Sequence, residues 1–186
     1  MATGNFLDQL TYMTPEGGNG ILVEKPLNIL ADLKVTATGT PIGSGTAPTA
    51  AVTGVSFADG ETALLQLVIP EDYDRVLDIC KVRFYCIWST GTTAAGDIGF
   101  TTAQNLWRSG AAVNATAAAA VTVFTLTANV ATTQVGTVDI SSNGYRPGDV
   151  IVRTVDANET GAEEIIVLGL SLLYRSMIVA YNPTNR

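Results

Sequence analysis

The chain has 186 residues, 47% hydrophobic and 15% charged, which suits one ordinary domain and excludes a disordered polypeptide. Ten basic against seventeen acidic residues leave a net charge of −7 with no run of Lys or Arg, which argues against nucleic acid and an anionic membrane as partners. Histidine is absent, removing the usual general base, the Ser-His and Cys-His pairs and most zinc sites, so no cofactor, metal or catalytic residue is expected.

Residues 1–19 read as an N-terminal arm. Phe6, Leu10 and Met13 fall at helical spacing beside Tyr12, but Pro15 and the glycines at 17, 18 and 20 close the segment quickly. These four side chains are too few for a core of their own and are expected to contact a partner. The start lacks the basic flank and apolar stretch of a secretory leader, and the apolar run 165–173 is too short to span a bilayer, so cytoplasmic synthesis is expected.

Residues 20–186 read as one β-domain. The segment is rich in Thr, Val and Ile punctuated by Gly and Pro, and no sustained 3.6-residue apolar period appears. Strands are expected at 21–24, 28–38, 52–57, 62–69, 77–88, 98–106, 121–127, 134–140, 150–155 and 164–173, the last continuing toward 181. The stretch 39–51 reads as an exposed low-complexity loop, and the alanine run 117–120 as loop leading into a strand. In the strand 77–88, Cys80, Val82, Phe84, Cys86 and Trp88 alternate with Ile79, Lys81, Arg83, Tyr85 and Ile87, predicting one buried face and one mixed face. Cys80 and Cys86, six residues apart on one strand, lie roughly 20 Å apart and cannot form a disulfide.

The densest acidic cluster, Glu71, Asp72, Asp74 and Asp78, reads as a solvated turn rather than a calcium or catalytic site. Asp156, Asn158 and Glu159 with Glu163 and Glu164 read as the flanks of a polar hairpin, with Asn158 at its turn. Asn114 and Asn158 begin short glycosylation-acceptor patterns, discounted without a secretory leader. Trp88 shares the buried parity, whereas Trp107 ends a strand beside Arg108 and is the position expected to meet a partner.

Eight to ten strands with turns between them fit a two-sheet sandwich or a barrel. Three segments carry a resemblance: Ile69-Pro70-Glu71-Asp72-Tyr73-Asp74 between two long strands, Pro147-Gly148-Asp149 launching Val150–Arg153, and the closing strand Val167–Arg175. In this order, over roughly residues 60–176, they resemble the jelly-roll decoration (cement) proteins on the heads of tailed bacteriophages. The resemblance implies an all-β, jelly-roll-like two-sheet sandwich, usually trimeric, on the capsid surface of a virion. Its expected partners are the major capsid protein and other copies of itself in a homotrimer. The alternative is a carbohydrate- or receptor-binding jelly roll such as a tail-fibre tip, which would need an aromatic groove formed by adjacent Trp107 and Tyr145. A β-rich enzyme is the weakest reading, given the absent histidine.

Overall fold

The computed structural model describes residues 21–27, 33–35, 40–42, 54–89, 95–110, 114–115, 121–130, 132–141, 144–160 and 163–177. Among them are strands and turns but no helix. The strands are β1 (Ile21–Leu27), β2 (Leu33–Val35), β3 (Thr40–Ile42), β4 (Gly54–Phe57), β5 (Thr62–Val68) and β6 (Cys80–Trp88). They continue as β7 (Ala95–Trp107), β8 (Asn114–Ala115), β9 (Thr122–Leu126), β10 (Gln134–Asp139), β11 (Val150–Thr160) and β12 (Ile165–Ser176).

Two sheets result, and their paired strands are antiparallel. The first runs β10-β6-β12-β4-β3, with β1 also on β12; the second runs β2-β5-β11-β7-β8, with β9 also on β7. β4 lies beside Ile165–Val167 and β1 beside Leu170–Ser176, so both share one side of the long β12. From β5 to β7 and again from β9 to β12, each connection carries the chain across to the opposite sheet. Such crossings, rather than local hairpins, make a jelly roll, and they leave each long strand with neighbours distant in sequence.

The core lies between the sheets. The buried parity of β6, Cys80 to Trp88, faces inward as its alternation predicts. Both cysteines are free and buried. From the second sheet come Ala63, Leu65 and Leu67 of β5, Ile98 and Phe100 of β7, and Ile151, Val155 and Ala157 of β11. The rings of Phe84 and Phe100 join the layers at 5.7 Å between centroids, tilted by 59°. Trp88 is fully buried and donates its indole N–H to the Thr127 carbonyl at 3.0 Å. Arg153 is also inward: its guanidinium lies 5.0 Å from the Phe100 ring centroid and donates to the Thr101 carbonyl at 2.8 Å.

Several boundaries differ from expectation. Leu77–Ile79 precede β6 instead of beginning it, because Asp74 draws the chain into a turn. Its Oδ1 accepts the Val76 and Leu77 amides, and Asp78 takes a φ of 43°. Residues 71–74 turn as expected but are not freely solvated, because Tyr73 is fully buried and bridges to Ser176. There the Asp72 carboxylate accepts the Tyr174 hydroxyl at 3.0 Å and the Ser176 hydroxyl at 2.5 Å. Thr40–Ile42 is a strand paired with β4, where a loop was expected. Asn158 sits within β11, not at a hairpin turn, because Ala95 and Gly96 extend the β7 pairing to Thr160. Of the expected strand 28–38, only Leu33–Val35 falls among the described residues. The alanine run 117–120 and the arm 1–19 lie outside them.

Candidate functional site

The outward face of the first sheet holds a groove of about 440 Å³ bounded by β1, β12 and β6. Its shape begins with a break in pairing. Between Val167 and Gly169 the β12–β6 register shifts, which gives β12 an extra residue. Gly169 then stands opposite Tyr85 with no side chain, and a methyl group there would sit 3.6 Å from the Tyr85 ring. The glycine therefore gives the aromatic ring a flat neighbour and leaves the notch beside it open. Pro26 and Leu168 add apolar lining, while the neighbouring Leu27 and Leu170 pack with the core beneath.

A polar cluster closes one side of the notch. Glu24 Oε1 accepts the Ser171 hydroxyl at 2.6 Å and the Tyr85 hydroxyl at 3.0 Å, while Oε2 accepts Arg83 at 2.6 Å. Pairing places these residues together: Ser171 is opposite Arg83 across β12–β6, and Glu24 is opposite Leu173 across β1–β12. Burial acts to raise the Glu24 carboxyl, but hydrogen bonds from Ser171 and Tyr85 and the Arg83 charge outweigh it. The group stays below the usual glutamate value and is ionised at neutral pH. The notch thus offers a compensated ion pair, two hydroxyls and one aromatic ring, half-buried and held by one another. It is equipped to exchange hydrogen bonds with an uncharged hydroxyl-bearing ligand and to stack against its apolar face.

Trp107 stands elsewhere, on the outward face of the second sheet. It is opposite Val150, itself opposite Val68, so the three make one cross-strand row. Trp107 is 45% exposed and Val68 56%. Tyr145 is fully buried and donates its hydroxyl to Gln104 Oε1 at 2.8 Å. The expected Trp107–Tyr145 groove therefore does not form, since one ring faces solvent and the other is locked inside. Phe6, Leu10, Tyr12 and Met13 lie outside the described residues.

Sequence reasoning missed Glu24, Tyr85 and Ser171 as a group. The available signal was the mixed face of β6, where Arg83 and Tyr85 alternate with core residues. Among the described residues no group of three or more Cys, Asp or Glu is arranged to hold a metal ion.

No protein-family model and no curated protein matches this chain. Some solved structures show a partial likeness to it. One is the xylan-binding module CBM15, 16% identical, with a TM-score of 0.46 over 84% of this chain and 97% of that one. Another is the CBM36-1 domain of a multidomain xylanase from the hindgut metagenome of Trinervitermes trinervoides, 6% identical at a TM-score of 0.46, covering 81% and 95%. A third is the carbohydrate-binding module CBM36 in complex with calcium and xylotriose, 16% identical at 0.40, covering 83% and 98%. At such identities and TM-scores the likeness carries neither role nor ligand over to this chain.

Proposed function

We propose that the chain is a non-catalytic binding module whose outward groove on the first sheet holds a neutral, hydroxyl-rich ligand, a polysaccharide chain. The observation that carries this reading is Tyr85 beside Gly169, with Glu24, Arg83 and Ser171 gathered at its edge. Sugar rings present apolar C–H faces and polar rims, and the notch presents an aromatic ring with hydrogen-bonding groups around it. Because Glu24 and Arg83 neutralise each other, the site gains little from a charged ligand and does not repel an uncharged one.

The same chemistry argues against hydrolysis. Glycoside cleavage ordinarily needs two carboxyl groups across the bond, one of them protonated. Among the described residues Glu24 is the single carboxylate lining this groove, and its neighbours keep it ionised. Retardation in native gels cast with neutral polysaccharides tests the reading. Wild-type protein is retarded by at least one, and Tyr85→Ala is not. Equal mobility of the two proteins in every gel contradicts it.

A second reading, a head-decoration protein of a tailed phage that attaches to the major capsid protein as a homotrimer, draws on the other face. The row Val68, Val150 and Trp107 exposes apolar surface on a lightly charged sheet, of the kind a protein partner covers. Co-sedimentation with phage heads, weakened by Trp107→Ser and indifferent to Tyr85→Ala, is the outcome this reading expects.

A further inference from the structure

At one end of the sandwich carboxylates gather, with no cationic side chain acting on them among the described residues. There β11 finishes at Glu159, whose side chain takes the inward parity and is only 7% exposed. Its Oε2 is buried and has no hydrogen-bond partner. The strand β7 approaches so closely that a methyl group on Gly96 would lie 3.0 Å from the Glu159 Cα and Cβ atoms. Asp59 faces Glu159 from the turn between β4 and β5, and Glu163 and Glu164 face it from the segment entering β12. Asp97 of β7 and Asp156 of β11 repel each other nearby on the outward side. Neither the turn 58–61, the start of β7 nor the segment 159–164 contains a lysine, arginine or histidine. Arg153, six residues back along β11, is roughly 20 Å away.

The turn 58–61 is clamped to β11 by three backbone donors around this carboxylate. Gly60 N–H donates to the Ala157 carbonyl at 3.0 Å, Ala157 N–H to the Glu61 carbonyl at 3.3 Å, and Glu159 N–H to Asp59 Oδ1 at 3.2 Å. On the other side, Ser89 and Glu164 exchange two hydrogen bonds at 2.9 Å, Ser89 N–H to the Glu164 carbonyl and Glu164 N–H to Ser89 Oγ.

From this arrangement we propose that the acidic end is a proton-operated clasp: with Glu159 neutral the turn 58–61 stays seated on β11, and with Glu159 charged it loosens. A charge at Glu159 has three carboxylates facing it, no counter-ion among the described residues, and a buried oxygen with no donor. Releasing the turn lets water reach that oxygen. Burial pushes the carboxyl up to about 7, against a lowering hydrogen bond from the Asp59 backbone amide, and the charges of Asp59, Glu164 and Glu163 add to the rise. The sign follows from linkage. The closed state binds the proton more tightly than the open one, so closure weakens as pH rises from the ordinary glutamate range to about 7, then levels off.

Hydrogen exchange on the full chain tests the clasp. Protection of the Gly60 and Ala157 amides, corrected for intrinsic rates, is expected to fall on the order of tenfold or more between about pH 5 and pH 7.5. In Glu159→Gln it should stay flat. Carbon-13 titration of the wild-type Glu159 carboxyl gives an independent reading if that variant fails to fold, with a midpoint near 7 expected. Flat wild-type protection, an unchanged slope in Glu159→Gln, or a midpoint near the ordinary glutamate value overturns the proposal. Protection restored at high pH by calcium alone also overturns it, and identifies a cation site instead.

Discussion

Single side chains separate the two faces of this molecule. Trp88 is sealed in the core and Trp107 projects from the second sheet. Acrylamide should therefore quench only part of the fluorescence, and Trp107→Phe should leave a blue-shifted, protected emission. Two fully quenched tryptophans would contradict the burial of Trp88. Burial likewise pushes the Cys80 thiol up to about 12, helped by the charges of Asp78 and Asp139. Burial pushes Cys86 up as well. Neither should react with a thiol reagent until the protein unfolds. A stronger polar constraint sits at Asp149, which takes two bonds from Arg108, at 2.9 and 2.5 Å, and one from the Arg146 amide at 2.8 Å. Burial alone would raise this carboxyl, but those donors hold it below the usual aspartate value. Its contribution to stability is present above that usual value and is lost as pH falls through the lowered one. Asp149→Ala removes two bonds from the Arg108 guanidinium, which keeps its donation to the Gly144 carbonyl at 3.0 Å, and is expected to cost about 1–3 kcal/mol in urea unfolding at pH 7. The loss should shrink in acid, and a variant equally destabilised at every pH would contradict this account.

At the scale of elements, close approach between strands is set by glycines. A methyl group on Gly99 would lie 2.1 Å from the Thr122 carbonyl oxygen, a backbone atom of β9 that cannot move without disturbing the pairing. Gly99→Ala is expected to cost about 1–3 kcal/mol by prising β9 from β7. Gly60→Ala tests a different constraint: no atom lies within 4 Å, but φ is +72°, so the cost comes from backbone strain alone and is smaller, about 1 kcal/mol. Thermal melts of both variants rank the two effects, and a neutral Gly99→Ala would contradict the β7–β9 packing. Strand identity was legible wherever one face is buried, as in β6, because a period of two survives in sequence. The extra length of β7 and β11 was not. Asp97, Asn158 and Glu159 are poor strand formers, and only their partners across the ladder hold them extended. The turn at Leu77 was misread as strand because its apolar residues keep the alternation, whereas Asp74 decides the backbone there.

For the whole molecule, the two-sheet jelly roll follows from chain crossings that alternate between sheets. The candidate groove depends on them entirely. Glu24 and Ser171 are 147 positions apart and Glu24 and Tyr85 are 61 apart, so no local motif announces the cluster. Only strand pairing, with β1 and β6 flanking opposite sides of β12, brings them to one face. Trp107 was expected at a strand end and stands there, 45% exposed, but its supposed companion Tyr145 is held inward, where it donates to Gln104. The groove and the Trp107 row therefore lie on opposite sheets and can be tested independently. Isothermal titration of the full chain with soluble neutral oligosaccharides tests the central claim most directly. Saturable binding is predicted for at least one ligand, lost in Tyr85→Ala, weakened at least tenfold in Glu24→Gln, and unchanged in Trp107→Ala. Binding that survives Tyr85→Ala but disappears with Trp107→Ala, or no binding to any oligosaccharide, would contradict it.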